Sequence, residues 1–321
     1  MGSVRLGMVF DRSFPAGAVA QYAQRVEASG LDDLWVIEDC FFTAGVSLAA
    51  TALAVTERLR VGLGIVPAVA RTAAVTAMEF ATLANLAPGR FVGGVGHGVQ
   101  EWMAQMGVRP SSPLTALDET ISTVKRLLSG ELVTFDGRYV TLDRVRLEQP
   151  PLVAPRVLAG VQQERSLELA GRIADGLILV EGAGPRYVTW ASDLAGGGSV
   201  GRDGFELVTF TMLSVADDRR VAYAQVAPFV AGLVRERRRA LTVLPFFDEW
   251  YERVDHGGSA ALVDMPADHW REIGAIGTLD DAVAHVAALE AVGVASVNVF
   301  PGPSLDIAWE QMRVLTESFP G

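Results

Sequence analysis

Short apolar runs alternate with segments of helical periodicity along the whole chain. The runs lack polar–apolar alternation, as expected of strands that are covered on both faces. The segments between them carry apolar residues at spacings of three and four and end at Gly or Pro. The predicted strands cover residues 4–10, 34–37, 59–66, 91–95, 156–159, 176–180, 207–215 and 295–300. Eight strand–helix units predict an α/β fold: a single (β/α)8 TIM barrel with insertions, in one domain over residues 1–321.

Two segments interrupt this alternation. Residues 133–140 predict a small hairpin with its turn at Asp136-Gly137, and residues 217–276 are mostly helical and polar. An open doubly wound sheet is the alternative fold. Its dinucleotide-binding form would carry Gly-x-Gly-x-x-Gly after the first strand, and this motif is missing. The pattern therefore favours the barrel.

Charge and cysteine content limit the partners and the compartment. The formal net charge of −11 argues against nucleic acid and anionic membranes as partners. Cys40 is the only cysteine, which excludes an internal disulfide and suits a reducing cytoplasm. The N-terminus carries Arg5, Asp11 and Arg12 and is not a secretory signal. The uncharged stretch 41–56 is too short and too rich in Thr to span a membrane. We expect a cytoplasmic protein that acts on a small molecule.

Residues capable of chemistry follow several of the predicted strands. Asp39 follows the second strand, His97 the fourth and Glu181 the sixth. The glycines on both sides of His97 let a ligand come close to the backbone. Taken alone, Asp39 is typical of a helix cap and a Gly-His-Gly loop of a tight turn. In a TIM barrel, however, the carboxyl ends of all strands meet at one rim, where active sites lie. Their positions therefore predict a shared catalytic site.

Several segments resemble a known protein family. They are Asp33–Asp39, Val61–Pro67, Pro88–Phe91 with Gly93–Gly98, Leu169–Gly176 and Ile276–Asp281. Together they resemble the bacterial luciferase-like superfamily and, within it, coenzyme F420-dependent oxidoreductases such as methylenetetrahydromethanopterin reductase. The resemblance covers nearly the whole chain. It implies a barrel that binds F420, or alternatively FMN, across its C-terminal rim, and a homodimer.

The resemblance also implies which residues contact the cofactor ring. Asp39 matches an acidic residue close to the reacting carbon of the deazaflavin. Gly64 and Ile65 match a bulge in the third strand that packs behind the ring and often contains a non-proline cis peptide bond. Gly96 and His97 match the turn that lines the pocket after the fourth strand. These residues are the expected ring-binding set.

The loop after the fifth strand is expected to hold the cofactor phosphate. In the family, backbone N–H groups and a helix N-terminus bind the phosphate there. The matching residues are Gly160, Val161, Gln162 and Gln163. Two departures stand out. Cys40 replaces a His that relatives often carry, and a thiol is a poor proton shuttle. Glu164 brings negative charge to the phosphate loop, which Arg165 and the two glutamines can offset.

Three functions fit this sequence. The first is F420-dependent hydride transfer to or from an unsaturated small organic substrate, with His97 moving the proton and Asp39 positioning the ring or the substrate. Glu101 is a third catalytic candidate, its alternative being a carboxylate at a helix N-terminus. The second function is an FMN-dependent monooxygenase, and the third a non-catalytic cofactor-binding relative. No Cys/His cluster has metal-binding spacing. Trp102, Met103 and Met106 either line a substrate pocket or form a helix core face.

Overall fold

Eight parallel strands close into a barrel in the computed structural model, which describes residues 4–196 and 204–318. The strands of the described chain are β1 (Arg5–Phe10), β2 (Asp33–Val36), β3 (Arg60–Pro67), β4 (Phe91–Gly96), β5 (Val133–Asp136), β6 (Thr141–Val145), β7 (Arg156–Gly160), β8 (Gly176–Leu179), β9 (Glu206–Val215), β10 (Ala275–Gly277) and β11 (Ser296–Phe300). The barrel order is β1-β2-β3-β4-β7-β8-β9-β11, and β11 pairs with β1 to close it. The predicted (β/α)8 barrel is confirmed.

Helices cover the outside of the barrel. In chain order they are α1 (Val19–Ala28), α2 (Gly45–Ala54), α3 (Ala73–Leu86), α4 (Gln100–Gln105), α5 (Pro113–Leu128), α6 (Glu164–Ile173), α7 (Pro185–Leu194), α8 (Arg219–Arg235), α9 (Arg239–Thr242), α10 (Phe247–Gly257), α11 (Ala267–Ile273), α12 (Leu279–Ala291) and α13 (Leu305–Ser318). Short 3₁₀ turns cover Ala16–Ala18 and Ser259–Asp264. Within the described ranges, none of these helices is both long and apolar enough to cross a membrane.

Alternate residues of each barrel strand point inwards and fill the barrel. Val9, Trp35, Leu158 and Phe210 belong to one buried interior cluster. The Trp35 indole occupies the space beside Gly62, where a Cβ atom would lie 2.3 Å from the ring. A glycine is therefore required at this position of β3 for the large ring to fit inside the barrel.

A network of charged side chains closes the N-terminal end of the barrel. Asp33 and Glu206 are buried, and Arg60 bonds both carboxylates at 3.2 and 2.8 Å. Arg5 also contacts Glu206, and the Ser296 hydroxyl donates to Asp33 at 2.6 Å. Because these charges are paired, they can stay buried. The opposite end, here called the C-terminal rim, is left for ligands.

The predicted helical insertion reaches back to the C-terminal rim. Helices α8 to α11 share a hydrophobic cluster separate from the main core. Leu241 of α9 lies against Gly182 after β8, and the backbone of Glu272 in α11 packs against Gly184. Phe229 of α8 stacks on Phe300 at the end of β11, with 6.4 Å between ring centroids. The insertion therefore covers the β8–β11 side of the rim.

The hairpin lies where the sequence predicts it, but its bounds are wrong. Strands β5 and β6 extend to Val145, and the connection covers residues 137–140 rather than Asp136-Gly137. The Glu119 carboxylate of α5 accepts hydrogen bonds from the backbone N–H groups of Arg138, Tyr139 and Val140. This tertiary contact determines the shape of the connection, so the second strand begins and ends later in the chain than the sequence predicts.

Candidate active site at the C-terminal rim

Strand alternation places two carboxylates at the inner edge of the rim. Val9, Trp35 and Ile37 point into the barrel from β1 and the β2 segment. The same period of two continues to Asp11 and Asp39. Asp11 is buried and accepts hydrogen bonds from the backbone N–H and the hydroxyl of Ser13. Asp11 is a rim residue that we did not single out from the sequence, although its spacing from Val9 could have indicated it.

Asp39 is ion-paired. Nη1 of Arg12, which follows β1, lies 2.5 Å from Oδ2 of Asp39. The Arg12 guanidinium also lies over the Phe42 ring, 4.7 Å from its centroid. In the sequence, Arg12 argues only against a signal peptide. Its position directly after the first strand could have indicated that Arg12 lies at the rim.

Glu181, after β8, is the third carboxylate of this rim. It is half-buried, and burial raises its pKa. The negative charges of Asp39 and Asp11 raise the pKa further, while Arg238 of the insertion opposes them. Asp11, Asp39 and Glu181 follow three different barrel strands and therefore lie at the same rim.

The bulge expected in the third strand is present. The Gly64–Ile65 peptide bond is cis, and the β3–β4 register shifts between Leu63 and Val66. The Ile65 side chain lies against glycines of two neighbouring strands. A Cβ atom at Gly160 would lie 2.5 Å from Cγ2 of Ile65, and one at Gly96 would lie 3.1 Å from its Cδ1. Gly64, Ile65, Gly96 and Gly160 are thus brought together.

His97 follows β4 at the same rim as Asp39. Its Nε2 lies 2.9 Å from the hydroxyl of Ser166, a buried residue in the first turn of α6. Its Nδ1 is buried without a hydrogen bond of regular geometry. Burial lowers the His97 pKa, and the Pro113 backbone carbonyl partly opposes this effect. Ser166 was missed, and no local sequence pattern links it to His97.

The predicted phosphate loop leads into the N-terminus of α6. Val161 is buried, Gln162 is half-buried, and Gln163 is exposed at the N-cap position. The Tyr187 hydroxyl donates to the Gln162 carbonyl at 3.1 Å. The N–H groups of Ser166 and Leu167 donate to the Gln163 carbonyl at 2.9 Å, so the N–H groups of Glu164 and Arg165 are the donors of the first turn that precede these bonds. These two groups lie at the helix end where the loop arrives.

The charge of Glu164 is offset by a different cation from the one expected. Arg239 of α9 forms the ion pair with Glu164, and its guanidinium packs on the Trp190 ring at 4.9 Å. Arg165 is exposed and lines a surface groove with Leu114. Arg239 rather than Arg165 is therefore the cation paired with Glu164, because the insertion brings it to this helix end.

Aromatic side chains flank the rim between β2 and β4. Phe41 and Phe42 are largely exposed, and both rings approach Trp102 of α4, at centroid distances of 6.3 and 6.5 Å. Met103 is fully buried and belongs to the helix core face. Glu101 is exposed in the first turn of α4, as expected of a helix N-terminal carboxylate. Only Trp102 of this helix therefore contacts the aromatic group at the rim.

We looked for side chains that could hold a metal ion at this rim and in the other described segments. No group of three or more His, Cys, Asp or Glu side chains there is arranged to hold an ion. The carboxylates at the rim are instead held by Arg12 and Ser13 or coupled electrostatically. The site offers proton-transfer groups, an apolar surface and backbone donors.

Comparisons with known proteins extend over nearly the whole chain. The sequence profile of luciferase-like monooxygenases matches residues 5–296. The 5,10-methylenetetrahydromethanopterin reductase of Methanolobus tindarius is 30% identical over 311 residues, 91% of this chain and 92% of the relative. The coenzyme F420-dependent tetrahydromethanopterin reductase of Methanopyrus kandleri superposes with a TM-score of 0.77 at 20% identity, over 99% of this chain and 98% of that one.

A flavin enzyme has the same fold. The oxygenating constituent of 3,6-diketocamphane monooxygenase from Pseudomonas putida, solved with FMN, superposes with a TM-score of 0.71 at 15% identity. This match covers 98% of each chain. An F420-dependent reductase and a monooxygenase solved with FMN therefore share this fold.

Proposed function

The chain belongs to the luciferase-like monooxygenase family, and on that premise we propose that it is an oxidoreductase that uses coenzyme F420 to transfer a hydride to or from an unsaturated small organic substrate. The observation that carries the proposal is the 30% identity to a methylenetetrahydromethanopterin reductase along 91% of the chain. The structural likeness to an F420-dependent reductase supports the same choice of cofactor.

The inner surface of the rim fits a planar ring. Ile65, Val180 and Phe300 are only partly buried and pack on the closed interior cluster of the barrel. These three residues, near the carboxyl ends of β3, β8 and β11, form the apolar floor of the proposed site. The glycines beside Ile65 make room for its side chain, since a Cβ atom at Gly160 would lie 2.5 Å from Cγ2 of Ile65. Apolar walls with a few polar groups are typical of cofactor sites.

The phosphate end of the cofactor would lie at α6. Backbone N–H groups at a helix N-terminus attract anions. The loop residues Gly160 to Gln163 lead the chain to this point, directly beside the apolar floor. Arg239 adds a cation and neutralises Glu164, so that the carboxylate does not repel a phosphate at full strength. The residues present therefore fit a phosphorylated deazaflavin or flavin.

The protein's own groups would handle the proton. Bound at this rim, F420 would supply or accept the hydride. The lowered pKa of His97 keeps its imidazole neutral at pH 7, in the form that accepts a proton. Asp39, held by Arg12, would position the ring or the substrate. Glu101 is the remaining candidate among the predicted catalytic residues.

FMN is the alternative cofactor, because a monooxygenase solved with FMN has the same fold. FMN has a ring nitrogen where F420 has carbon, and reduced FMN reacts with oxygen. A protein that binds FMN in preference to F420 would be assigned to the monooxygenases. We further propose that the protein is a cytoplasmic homodimer, as the resemblance and the composition imply.

Anaerobic titration of the purified protein with F420 and with FMN tests the proposal. Absorbance and fluorescence of each ring report binding, and riboflavin serves as a control that lacks the phosphate. We expect saturable binding of F420, weaker binding of FMN and still weaker binding of riboflavin. Binding of FMN alone would replace the proposal by its alternative. Binding of neither cofactor would contradict both.

A further inference from the structure

Ser166 is tied to His97 by a partly buried hydrogen bond, and nothing in the proposed function accounts for it. We propose that Ser166 is a positioning residue that fixes the orientation of His97, an inference that rests on the proton-transfer role proposed for His97. The two residues lie 69 positions apart, and only 6% of Ser166 is exposed. Ser166 Oγ is the one hydrogen-bond partner of regular geometry for the His97 ring in the described chain.

The geometry of the ring shows where it is held. Nε2 lies 2.9 Å from the Ser166 hydroxyl, which can donate or accept there. Nδ1 is buried without a hydrogen bond of regular geometry. Ser166 is therefore the side chain that fixes the ring, and it does so through Nε2.

A hydroxyl suits both charge states of the ring. It donates to Nε2 of the neutral imidazole and, after rotation, accepts from Nε2–H of the imidazolium. Burial is the largest influence on the His97 pKa, and no charged side chain of the described residues contributes to the shift. A carboxylate partner would hold the ring in its charged form. Ser166 instead lets His97 gain and lose a proton without moving.

The position of Ser166 in the fold supports this role. It lies in the first turn of α6, two residues after Glu164, so the helix that ends the phosphate loop also orients the ring after β4. The bond therefore links two neighbouring strand ends of the rim. Because both partners are largely buried, water competes with it poorly.

Nuclear magnetic resonance of ¹⁵N-labelled histidine tests the inference without any cofactor. The chain has four histidines, and the His97→Gln variant assigns the His97 signals. In Ser166→Ala the imidazolium loses its acceptor, so the His97 pKa should fall by about one unit, since bonds to charged groups are the stronger ones. Ser166→Thr should restore the parent value.

Kinetics provide the second readout. One limb of the plot of kcat against pH should report the His97 pKa. In Ser166→Ala this limb should shift with that pKa, and in Ser166→Thr it should return to the parent position. Ser122→Ala, on α5, is the matched control and should change neither quantity, because Ser122 bonds Asp118 rather than His97.

Two results would overturn the inference. One is a parent-like pH profile of kcat in folded Ser166→Ala. The other is an unchanged His97 pKa in folded Ser166→Ala. If the protein bound neither F420 nor FMN, the proposed function would fail, whereas the titration of His97 would still decide the role of Ser166.

Discussion

Nη1 of Arg12 lies 2.5 Å from Oδ2 of Asp39, which joins the segment after β1 to the segment after β2 at the C-terminal rim. Both side chains are partly exposed, so the pair adds little to the stability of the fold. Its effect is on orientation, because the guanidinium is also held over the Phe42 ring. The carboxylate predicted to act on the ring or the substrate is therefore fixed by a neighbouring strand end.

Arg12 and Asp39 are expected to act as one unit. Asp39→Asn and Arg12→Gln should each lower kcat by about 10- to 100-fold, the loss expected when a reacting group is misplaced. The double variant should lose no more than the worse single variant, since both remove the same interaction. Steady-state kinetics of the four proteins measure this. Fully multiplicative losses would show that the two residues act independently.

His97→Ala is expected to affect turnover rather than binding. Loss of a general acid–base group costs about 10²- to 10⁴-fold in kcat. The cofactor Kd should stay nearly constant, because the apolar floor and the phosphate loop are untouched. His256→Ala is the control, since His256 is exposed on α10. If His97→Ala turned over the true substrate as fast as the parent, His97 would only line the pocket and would not transfer the proton.

Glu164 is expected to weaken phosphate binding. Glu164→Gln removes a negative charge and frees Arg239, so it should tighten binding of F420 or FMN by about two- to fivefold, the size of a charge effect at a helix N-terminus. Arg239→Gln should weaken the same binding. Riboflavin affinity should not change in either variant, and Glu168→Gln, on an exposed position of α6, is the control. An unchanged affinity for the phosphorylated cofactors would place the phosphate elsewhere.

His285 should make stability fall in mild acid. It is fully buried between the Thr211 side chain and the Arg271 carbonyl, and burial lowers its pKa from 6.5 to about 4. The folded state therefore favours the neutral ring, and its contribution is complete above pH 6.5. As the pH falls from 6.5 towards 4, the unfolded state gains a proton first, which costs about 1.4 kcal/mol per pH unit.

Urea unfolding at pH 7 and pH 5 measures this loss. His285→Gln should show a smaller difference between the two pH values, whereas His256→Gln should behave like the parent. His97 and His269, whose pKa values are also lowered by burial, contribute in the same direction and remain in both variants. Titration of the His285 ring in the parent provides an independent check, and protonation near pH 6.5 in the folded protein would refute the account.

Several features of the fold and the site follow from local sequence patterns. The period of two in β1 and β2 turns Val9 and Trp35 inwards, and eight apolar runs separated by helical segments close as a barrel. Parallel strands end at one rim, so Asp39 and His97 were predicted to lie at the same end, as found. The bulge at Gly64–Ile65 was expected from the resemblance and is present. The roles of these residues remain predictions.

Tertiary structure alone decided the partners of these residues. Arg12 lies 27 positions from Asp39, Ser166 lies 69 positions from His97, and Arg239 lies 75 positions from Glu164. Each pair forms because two separate units of the barrel, or the helical insertion and the barrel, pack against one another. Local periodicity determines which face of a strand or helix is buried, and hence the barrel and its rim. It carries no information on which distant side chains meet there, since that depends on the packing of the closed structure.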